Sequence, residues 1–414
     1  MGRSFGRGSA VYLLAGLGLA ATLTFAACGG GQRGAAAGDA ATFKIGVITS
    51  LTGPAAAFGQ AHENGYAIAL GEINARGGVK GKPIELVYYD DQSRPDQAVQ
   101  GVNKLIDRDG VPIVLGAYSS ENTRAIVPAV TQKQVPLLMP TATADNVMDS
   151  NSPWVFRLCA GSSAYASATL DFLKTTSLPR RMAIVYENTN FGQSQADAMA
   201  QAAGPAGFEI VANEAYQASA PDYKALLQRV KAASPDIVYF ASYLLDASTL
   251  MRQSAQVGLE PQAFASAGTG FAAAEFPTAD KGAGAYAEYT FSVSQWLPTA
   301  RWRGSAEFDA AFFKLTGTHP AYHAMQAYAA LLTAAAAIDK APDATPAAIR
   351  DAMKTIDLPD TPFGPISFDA RGQNRHPVLI TQVLGGQYKI VHPPDAAETQ
   401  AVLPTPPWSA RKGL

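Results

Sequence analysis

The alternation of strand-like and helix-like segments constrains the fold of this 414-residue chain more than any other feature of its sequence. From Phe43 onward, short apolar runs alternate with amphipathic stretches of helix length. The predicted strands are 43–49, 84–90, 113–115, 137–139, 182–186, 209–212, 237–240 and 263–266, and the predicted helices are 59–75, 95–107, 123–132, 164–175, 193–203, 223–233 and 247–256. Such alternation is typical of parallel sheets with helices on both faces. The sequence therefore predicts an α/β fold.

The alternation divides into two series, with a break at 156–163, where a strand-like run leads into a Gly-Ser-Ser junction. The chain is long enough for two domains of ordinary size. We therefore expect two doubly wound lobes with a cleft between them. In open α/β sheets, ligands bind at the carboxyl ends of the strands, so the loops that follow the strands are the place to look for a site.

Three of these loops are rich in small hydroxyl residues: 50–59, 116–123 and 140–145. Each leads into a possible helix start, where side-chain oxygens and free backbone N–H groups point outward. Helix N-termini with such donors bind anions, and a carboxylate fits as well as a phosphate. Any single Ser or Thr here, taken alone, is better explained as an ordinary N-cap. The convergence of three such loops at one sheet edge favours a ligand site.

The sequence contains none of the local motifs that would indicate an enzyme. It lacks a glycine-rich dinucleotide motif, a phosphate-binding P-loop and a nucleophile elbow. His319 and His323 are four residues apart but have no third metal ligand nearby, so a helix-surface or core role is favoured. The net charge of −2 gives no electrostatic reason to expect nucleic-acid binding. We predict no catalytic residue, metal or cofactor.

The N-terminus has the pattern of a secretory signal. Arg3 and Arg7 precede an apolar run, 11–25, which is too short for a membrane-spanning helix. The run ends at Ala26-Ala27-Cys28, which resembles a bacterial lipobox, although Phe25 stands where Leu is usual.

Two interpretations of this end of the chain remain open. In the first, residues 1–27 are a lipoprotein signal peptide, Cys28 carries a lipid, and the Gly/Ala-rich residues 28–42 are a flexible tether. In the second, an ordinary signal peptidase site happens to precede Cys28. We expect an exported protein that is lipid-anchored in the periplasm or on the outer face of the cytoplasmic membrane. The other cysteine, Cys159, has no partner and apolar neighbours, which predicts a buried, inert thiol.

A series of short motifs carries a family resemblance across nearly the whole mature chain. They are, in order, Lys44-Ile45-Gly46-Val47, Leu51-Thr52-Gly53-Pro54, Glu72-Ile73-Asn74-Ala75-x-Gly77-Gly78-Val79-x-Gly81, Tyr89-Asp90-Asp91, Asp236-Ile237-Val238-Tyr239, Gln256-Val257-Gly258-Leu259 and Gly364-Pro365-Ile366-Ser367-Phe368-Asp369. Together they resemble the leucine/isoleucine/valine-binding proteins, the substrate-binding components of branched-chain amino-acid ABC transporters.

The resemblance implies the type I periplasmic-binding-protein fold, in which two Rossmann-like lobes are joined by three hinge crossings. On that pattern the N-terminal lobe comprises 43–159 and 292–363, and the C-terminal lobe comprises 160–291 and 364–394. Residues 395–414 are then a C-terminal tail.

The resemblance also implies the site residues. Ser120 and Thr143 match hydroxyls that hold the ligand carboxylate, with the backbone at Thr141 beside them. Phe58, Tyr118 and Phe191 match pocket walls, and Tyr243 matches a second-lobe residue near the ligand head group. The full set of candidate ligand-binding residues is Phe58, Tyr118, Ser119, Ser120, Thr141, Ala142, Thr143, Phe191, Tyr243, Ala267 and Gly268.

One departure from the family pattern concerns the ligand ammonium. Members that bind amino acids have an acidic residue about where Ala267-Gly268 stands, and this chain has none there. A fully desolvated ammonium without a counter-charge costs several kcal/mol. Either Asp246 or Glu187 supplies the charge, or the ligand is a carboxylate without an ammonium.

These observations predict a non-enzymatic solute receptor that closes by hinge motion on a small carboxylate, either an apolar or aromatic acid or a hydrophobic amino acid. Its expected partners are the permease and ATPase subunits of an ABC transporter and, through the lipid, the membrane. We expect a monomer. The alternative is a ligand-sensing subunit for a membrane receptor or regulator.

Overall fold

The computed structural model describes residues 42–411. The predicted signal peptide, Cys28 and residues 28–41 of the predicted tether lie outside the described residues, as do residues 412–414. Across residues 42–411, no helix combines the length and the apolar character that crossing a bilayer requires.

The first half of the described chain builds a five-stranded sheet with the strand order β2-β1-β3-β4-β5. Its strands are β1 (Phe43–Thr49), β2 (Ile84–Asp90), β3 (Val114–Leu115), β4 (Leu137–Met139) and β5 (Val155–Arg157). Its helices are α1 (Ala56–Ala75), α2 (Pro95–Asn103), which continues into a π-helical turn Lys104–Arg108, and α3 (Ser120–Lys133). All four strand pairs are parallel. We call this sheet and the helices packed on it the first lobe.

A second parallel sheet has the order β7-β6-β8-β9. Its strands are β6 (Arg181–Glu187), β7 (Glu209–Tyr216), β8 (Ile237–Ala241) and β9 (Ala263–Ser266). Helix α4 (Ser162–Lys174) precedes the first of these strands, and the helices connecting them are α5 (Asn190–Ala203), α6 (Lys224–Ala232) and α7 (Leu244–Val257). We call this sheet with its helices the second lobe.

The rest of the chain returns to both lobes. Its elements are β10 (Phe291–Ser294), α8 (Ser305–Thr316), α9 (Tyr322–Lys340), α10 (Pro346–Met353), β11 (Asp357–Leu358), β12 (Ile366–Ser367), β13 (Leu379–Leu384) and β14 (Gln387–His392). Side chains of α8, α9 and α10 join the core of the first sheet, whereas Phe291, Ile380 and Val391 of the antiparallel β10-β13-β14 sheet pack in the core of the second. The chain thus passes between the lobes three times, and the predicted fold class is confirmed.

Helices α1 and α9 pack in unusually close contact in the first lobe. A Cβ atom added to Gly65 would lie 2.0 Å from the carbonyl oxygen of Ala324, so only glycine fits at this crossing. Further along, the Tyr328 hydroxyl donates a hydrogen bond of 2.7 Å to the Glu72 carboxylate. This contact fixes the start of α9 beside α1, which matters for the site described below.

The described part of the C-terminal tail packs on the second lobe. The Trp408 indole N–H donates to the Leu259 carbonyl at 2.9 Å, and its ring lies in the same core cluster as Phe264. The Arg411 guanidinium lies 3.6 Å from the centre of the Trp408 ring.

Cys159 is buried and unpaired at the end of the first lobe. Burial raises the pKa of its thiol to about 12, so the reactive thiolate is disfavoured.

Two glycine-to-alanine substitutions in α1 test the helix contact. Gly65→Ala should lower the free energy of unfolding by about 1–3 kcal/mol, because its methyl group overlaps Ala324 and forces the helices apart. The matched control is Gly71→Ala on the exposed face of the same helix, where an added Cβ meets nothing within 4 Å. This change should raise stability by about 0.5–1 kcal/mol through helix propensity. Equal effects of both changes in denaturant titrations would contradict the close crossing.

Candidate ligand-binding site

The loops that follow β1 and β3 are held in place by specific local contacts. The Asp90 carboxylate accepts the Leu51 N–H at 2.9 Å and the Thr52 hydroxyl at 2.6 Å, which fixes the loop after β1. The loop after β3 turns at Gly116, which has a φ of 127°, and a Cβ there would lie 2.1 Å from the Ile48 carbonyl oxygen. Only glycine allows this approach, which brings Tyr118, Ser119 and Ser120 to the sheet edge.

A small cavity lies between these loops and the second lobe. It is lined by Tyr118, Ser120, Thr141, Thr143, Phe191, Tyr243, Thr269, Tyr322 and His323. Its volume is about 10 Å³, because aromatic rings from both lobes pack closely around it. A ligand larger than one water molecule therefore requires these rings, or the lobes that carry them, to move apart.

Most of the sequence-predicted site residues line this cavity, but some do not. Those that do not line it are Phe58, Ser119, Ala142, Ala267 and Gly268. Phe58 instead stacks on the Tyr118 ring, with the ring centres 4.7 Å apart. The Ser119 hydroxyl caps α3 by accepting the Asn122 N–H at 3.1 Å, which is the ordinary N-cap role that the sequence left open.

The hydroxyl groups of the lining residues are oriented by their partners. The Ser120 oxygen accepts the Ala144 N–H at 3.1 Å, and the Thr143 oxygen accepts the side-chain amide of Gln195 at 3.1 Å. Each hydroxyl therefore keeps its own proton to donate. The Thr141 hydroxyl donates to the Tyr118 carbonyl at 2.9 Å, so Thr141 offers its backbone instead.

Backbone donors add to these hydroxyls. Within residues 42–411, the N–H groups of Thr141 and Thr143 make no hydrogen bond to another backbone carbonyl. Together with the Ser120 and Thr143 hydroxyls, they place several hydrogen-bond donors on one side of the cavity. Such a group of donors suits an anion with more than one acceptor oxygen.

The two lobes are joined beside the cavity by side-chain hydrogen bonds. Gln195, on α5 of the second lobe, reaches Thr143 of the first lobe. The side-chain amides of Asn146 and Asn190 bond each other reciprocally at 2.7 and 3.0 Å, and the Asp145 N–H donates to the Ser194 hydroxyl at 3.0 Å. The first turn of α5 is thus attached to the segment that follows β4.

Sequence reasoning missed Thr269, Tyr322 and His323 as lining residues. Tyr322 and His323 begin α9, and their rings stack with centres 4.0 Å apart. The sequence assigned His319 and His323 to a helix-surface or core role; the structure places His319 at the surface beside Asp309 and buries His323. The contact between α1 and α9 and the hydrogen bond from the Thr269 N–H to the Tyr322 hydroxyl, 3.0 Å long, hold this helix start at the site. No local sequence motif marks either contact.

No acidic side chain lines the cavity. A Cβ on Gly268 would lie 3.3 Å from the Tyr322 hydroxyl oxygen, so the tyrosine packs beside the segment where the family pattern predicts an acid. The Asp246 carboxylate accepts the Ser219 N–H at 3.0 Å. Among residues 42–411, no group of His, Cys, Asp and Glu side chains has the arrangement of a metal site.

Glu187 is the buried acid nearest the aromatic walls. Its carboxylate accepts the Tyr243 N–H at 3.1 Å and the Thr189 hydroxyl at 2.7 Å. Burial outweighs these two hydrogen bonds and raises the pKa of Glu187 to about 8. The group therefore holds the start of α7 and does not line the cavity.

A family model described as "Periplasmic binding protein" matches residues 42–387 of the sequence. The chain belongs to the periplasmic binding protein family. Among curated relatives, the leucine-, isoleucine-, valine-, threonine- and alanine-binding protein of Pseudomonas aeruginosa is 28% identical over 332 residues, which is 80% of this chain and 87% of the relative. The resemblance to leucine/isoleucine/valine-binding proteins is thereby confirmed.

Solved structures agree with this assignment. The substrate-binding protein of a branched-chain amino acid transporter from Streptococcus pneumoniae, in complex with isoleucine, superposes with a TM-score of 0.76 at 25% identity and covers 88% of this chain and 100% of its own. A solute-binding protein of an ABC transporter from Rhodopseudomonas palustris, in complex with 3,4-dihydroxybenzoic acid, has a TM-score of 0.77 at 23% identity, with 87% and 98% covered. The type I periplasmic-binding-protein fold is therefore shown.

The raised pKa of Glu187 predicts a pH dependence of stability. Between the ordinary pKa of 4.5 and the folded value of about 8, the folded protein holds a proton that the unfolded chain has lost. Stability from this group is complete below the lower pKa and is lost as the pH rises to the upper one. The thermal midpoint of the wild type minus that of Glu187→Gln should therefore decrease as the pH is raised from about 5 to about 8. A difference that is constant with pH would contradict the assignment.

Proposed function

We propose that this protein is the extracytoplasmic solute receptor of a branched-chain amino-acid-type ABC transporter. It captures a small carboxylate between its lobes, closes by hinge motion and delivers the ligand to the permease and ATPase subunits. The observation that carries the proposal is the composition of the cavity: hydroxyl and backbone donors on one side, aromatic rings on the others, and no acidic side chain.

The donor side suits the carboxylate. The Ser120 and Thr143 hydroxyls keep their protons available because their oxygens already accept other hydrogen bonds. Hydrogen bonds to a charged acceptor contribute about 1.5–3 kcal/mol each, more than those between neutral groups. A carboxylate can therefore be bound here without a cationic side chain.

The aromatic side suits the body of the ligand. The Phe191 and Tyr243 rings, with centres 5.3 Å apart, come from the second lobe, and Tyr118 faces them from the first at 6.1 Å from Tyr243. Since no acid accompanies them, a buried ammonium would lack a counter-charge. The protein from R. palustris named above binds an aromatic acid, and the same ligand class is proposed for this chain.

Closure is proposed to follow from the contacts between the lobes. The bonds from Gln195 to Thr143 and between Asn146 and Asn190 form only when the lobes meet. Because Thr143 also faces the ligand, binding and closure favour each other. The proposal also includes export, a lipid on Cys28, a monomeric state and a non-catalytic role. Mass spectrometry of the mature protein tests whether Cys28 carries the lipid.

Removing either carboxylate-binding hydroxyl should weaken ligand binding. For the ligand that a thermal-shift screen of organic acids identifies, Ser120→Ala and Thr143→Ala should each reduce affinity by about 10–100-fold, the loss of one hydrogen bond to a charged group. Thr333→Val is the matched control, because it removes a buried α9 hydroxyl that bonds only the Ala329 carbonyl. Calorimetry showing equal affinities for all four proteins would rule out this carboxylate site.

The absence of an acid predicts a preference among ligand pairs. Benzoate and 4-methyl-2-oxopentanoate should bind more tightly than phenylalanine and leucine, and Asp246→Ala should not change the order, because its carboxylate bonds Ser219. Isothermal titration of the four compounds measures this. Tighter binding of leucine that is lost in Asp246→Ala would instead show that an ammonium is bound.

A further inference from the structure

His323 is the one cavity residue with a fully buried polar atom that lacks a partner in the described part of the chain. Its Nδ1 makes no hydrogen bond, and the whole side chain is only 2% exposed. The other buried, unpartnered polar atoms belong to residues that do not line the cavity. Buried nitrogen atoms are almost always hydrogen-bonded in native proteins, so this one calls for a partner from outside the chain.

The imidazole ring is held in one place by its neighbours. It stacks on Tyr322, and its centre lies 4.8 Å from that of Phe58 and 5.9 Å from that of Tyr118. The α1–α9 contact at Gly65 fixes the helix that carries it. The ring is therefore positioned before any ligand arrives, and His323 lines the same cavity as Ser120 and Thr143.

The ring is also uncharged. Burial, with a smaller contribution from nearby His62, lowers the pKa of His323 well below its ordinary value. A neutral imidazole has one donor nitrogen and one acceptor nitrogen. A hydroxyl group both donates and accepts, so it satisfies Nδ1 in either tautomer, whereas a carbonyl satisfies it in only one.

We propose that His323 recognises a hydroxyl group on the body of the ligand, so that the site selects hydroxylated aromatic acids over their unsubstituted counterparts. This inference rests on the proposed function and names its ligand class. The carboxylate end is held by the Ser120 and Thr143 donors, the ring by the aromatic walls, and the hydroxyl by the imidazole. A site with a buried polar group of this kind rejects ligands that leave it unpaired.

The test compares 4-hydroxybenzoate and 3,4-dihydroxybenzoate with benzoate on the whole mature protein by isothermal titration calorimetry. The wild type should bind the better of the two hydroxylated acids roughly tenfold or more tightly than benzoate. His323→Phe keeps a ring between Tyr322 and Phe58 but lacks both nitrogens, so it should bind benzoate at least as well as the wild type and show no preference.

His62→Phe is the matched control. His62 is a buried imidazole whose ring centre lies 5.4 Å from that of Tyr118, but it does not line the cavity, so its variant should keep the preference. A preference retained in His323→Phe, or no preference in the wild type, would overturn the inference and leave the carboxylate site standing. Failure of all three acids to bind, with tight binding of leucine, would overturn both the inference and the proposed ligand class.

A measurement on the wild type covers the case in which His323→Phe does not fold. In protein labelled with ¹⁵N-histidine, 4-hydroxybenzoate should shift one buried ring nitrogen whose signal is that of a neutral imidazole, and benzoate should leave it in place. Equal shifts with both acids would contradict a hydrogen bond to the hydroxyl.

Discussion

Parallel pairing of β1 with β3 and of β3 with β4 is the constraint on which the site depends. Parallel strands end at the same edge of a sheet, so their following loops meet without any long-range signal in the sequence. Each loop then needs a local structural feature that turns it toward the cleft. The Asp90 hydrogen bonds do this after β1, and the glycine at position 116 does it after β3. The donors that we propose for a carboxylate are brought together by this topology.

The second lobe contributes to the cavity through contacts that also join it to the first lobe. Gln195 bonds the oxygen of Thr143 and thereby leaves its proton for the ligand, so one hydrogen bond both joins the lobes and orients a binding group. The aromatic walls come from both lobes, and they leave a cavity of only about 10 Å³ beside Thr143. Both the donors and the aromatic walls of the cavity therefore depend on how the two lobes meet.

The strands and helices of the first two sheets were predictable because each buries an apolar face with its own period. The hydroxyl loops were predictable for the same reason, as they follow those strands. Phe58 shows the limit of this reasoning: its type suits a pocket wall, but whether it lies in front of or behind Tyr118 depends on packing. Tyr322 and His323 were not predictable, because a helix some 200 residues beyond the first-lobe loops is brought to them by tertiary contacts such as the crossing at Gly65 and the hydrogen bond from Thr269. The engagement of Glu187 and Asp246 by backbone N–H groups is likewise a tertiary feature.

The central claim is that the hydroxyl edge of the first lobe holds a carboxylate while no acid faces an ammonium. A crystal structure of the mature protein with bound 4-hydroxybenzoate tests it most directly. The account predicts carboxylate oxygens within hydrogen-bonding distance of the Ser120 and Thr143 hydroxyls, with the ring between Tyr118 and Tyr243. A carboxylate placed elsewhere in the cleft, or a bound amino acid whose ammonium pairs with Glu187, would contradict it.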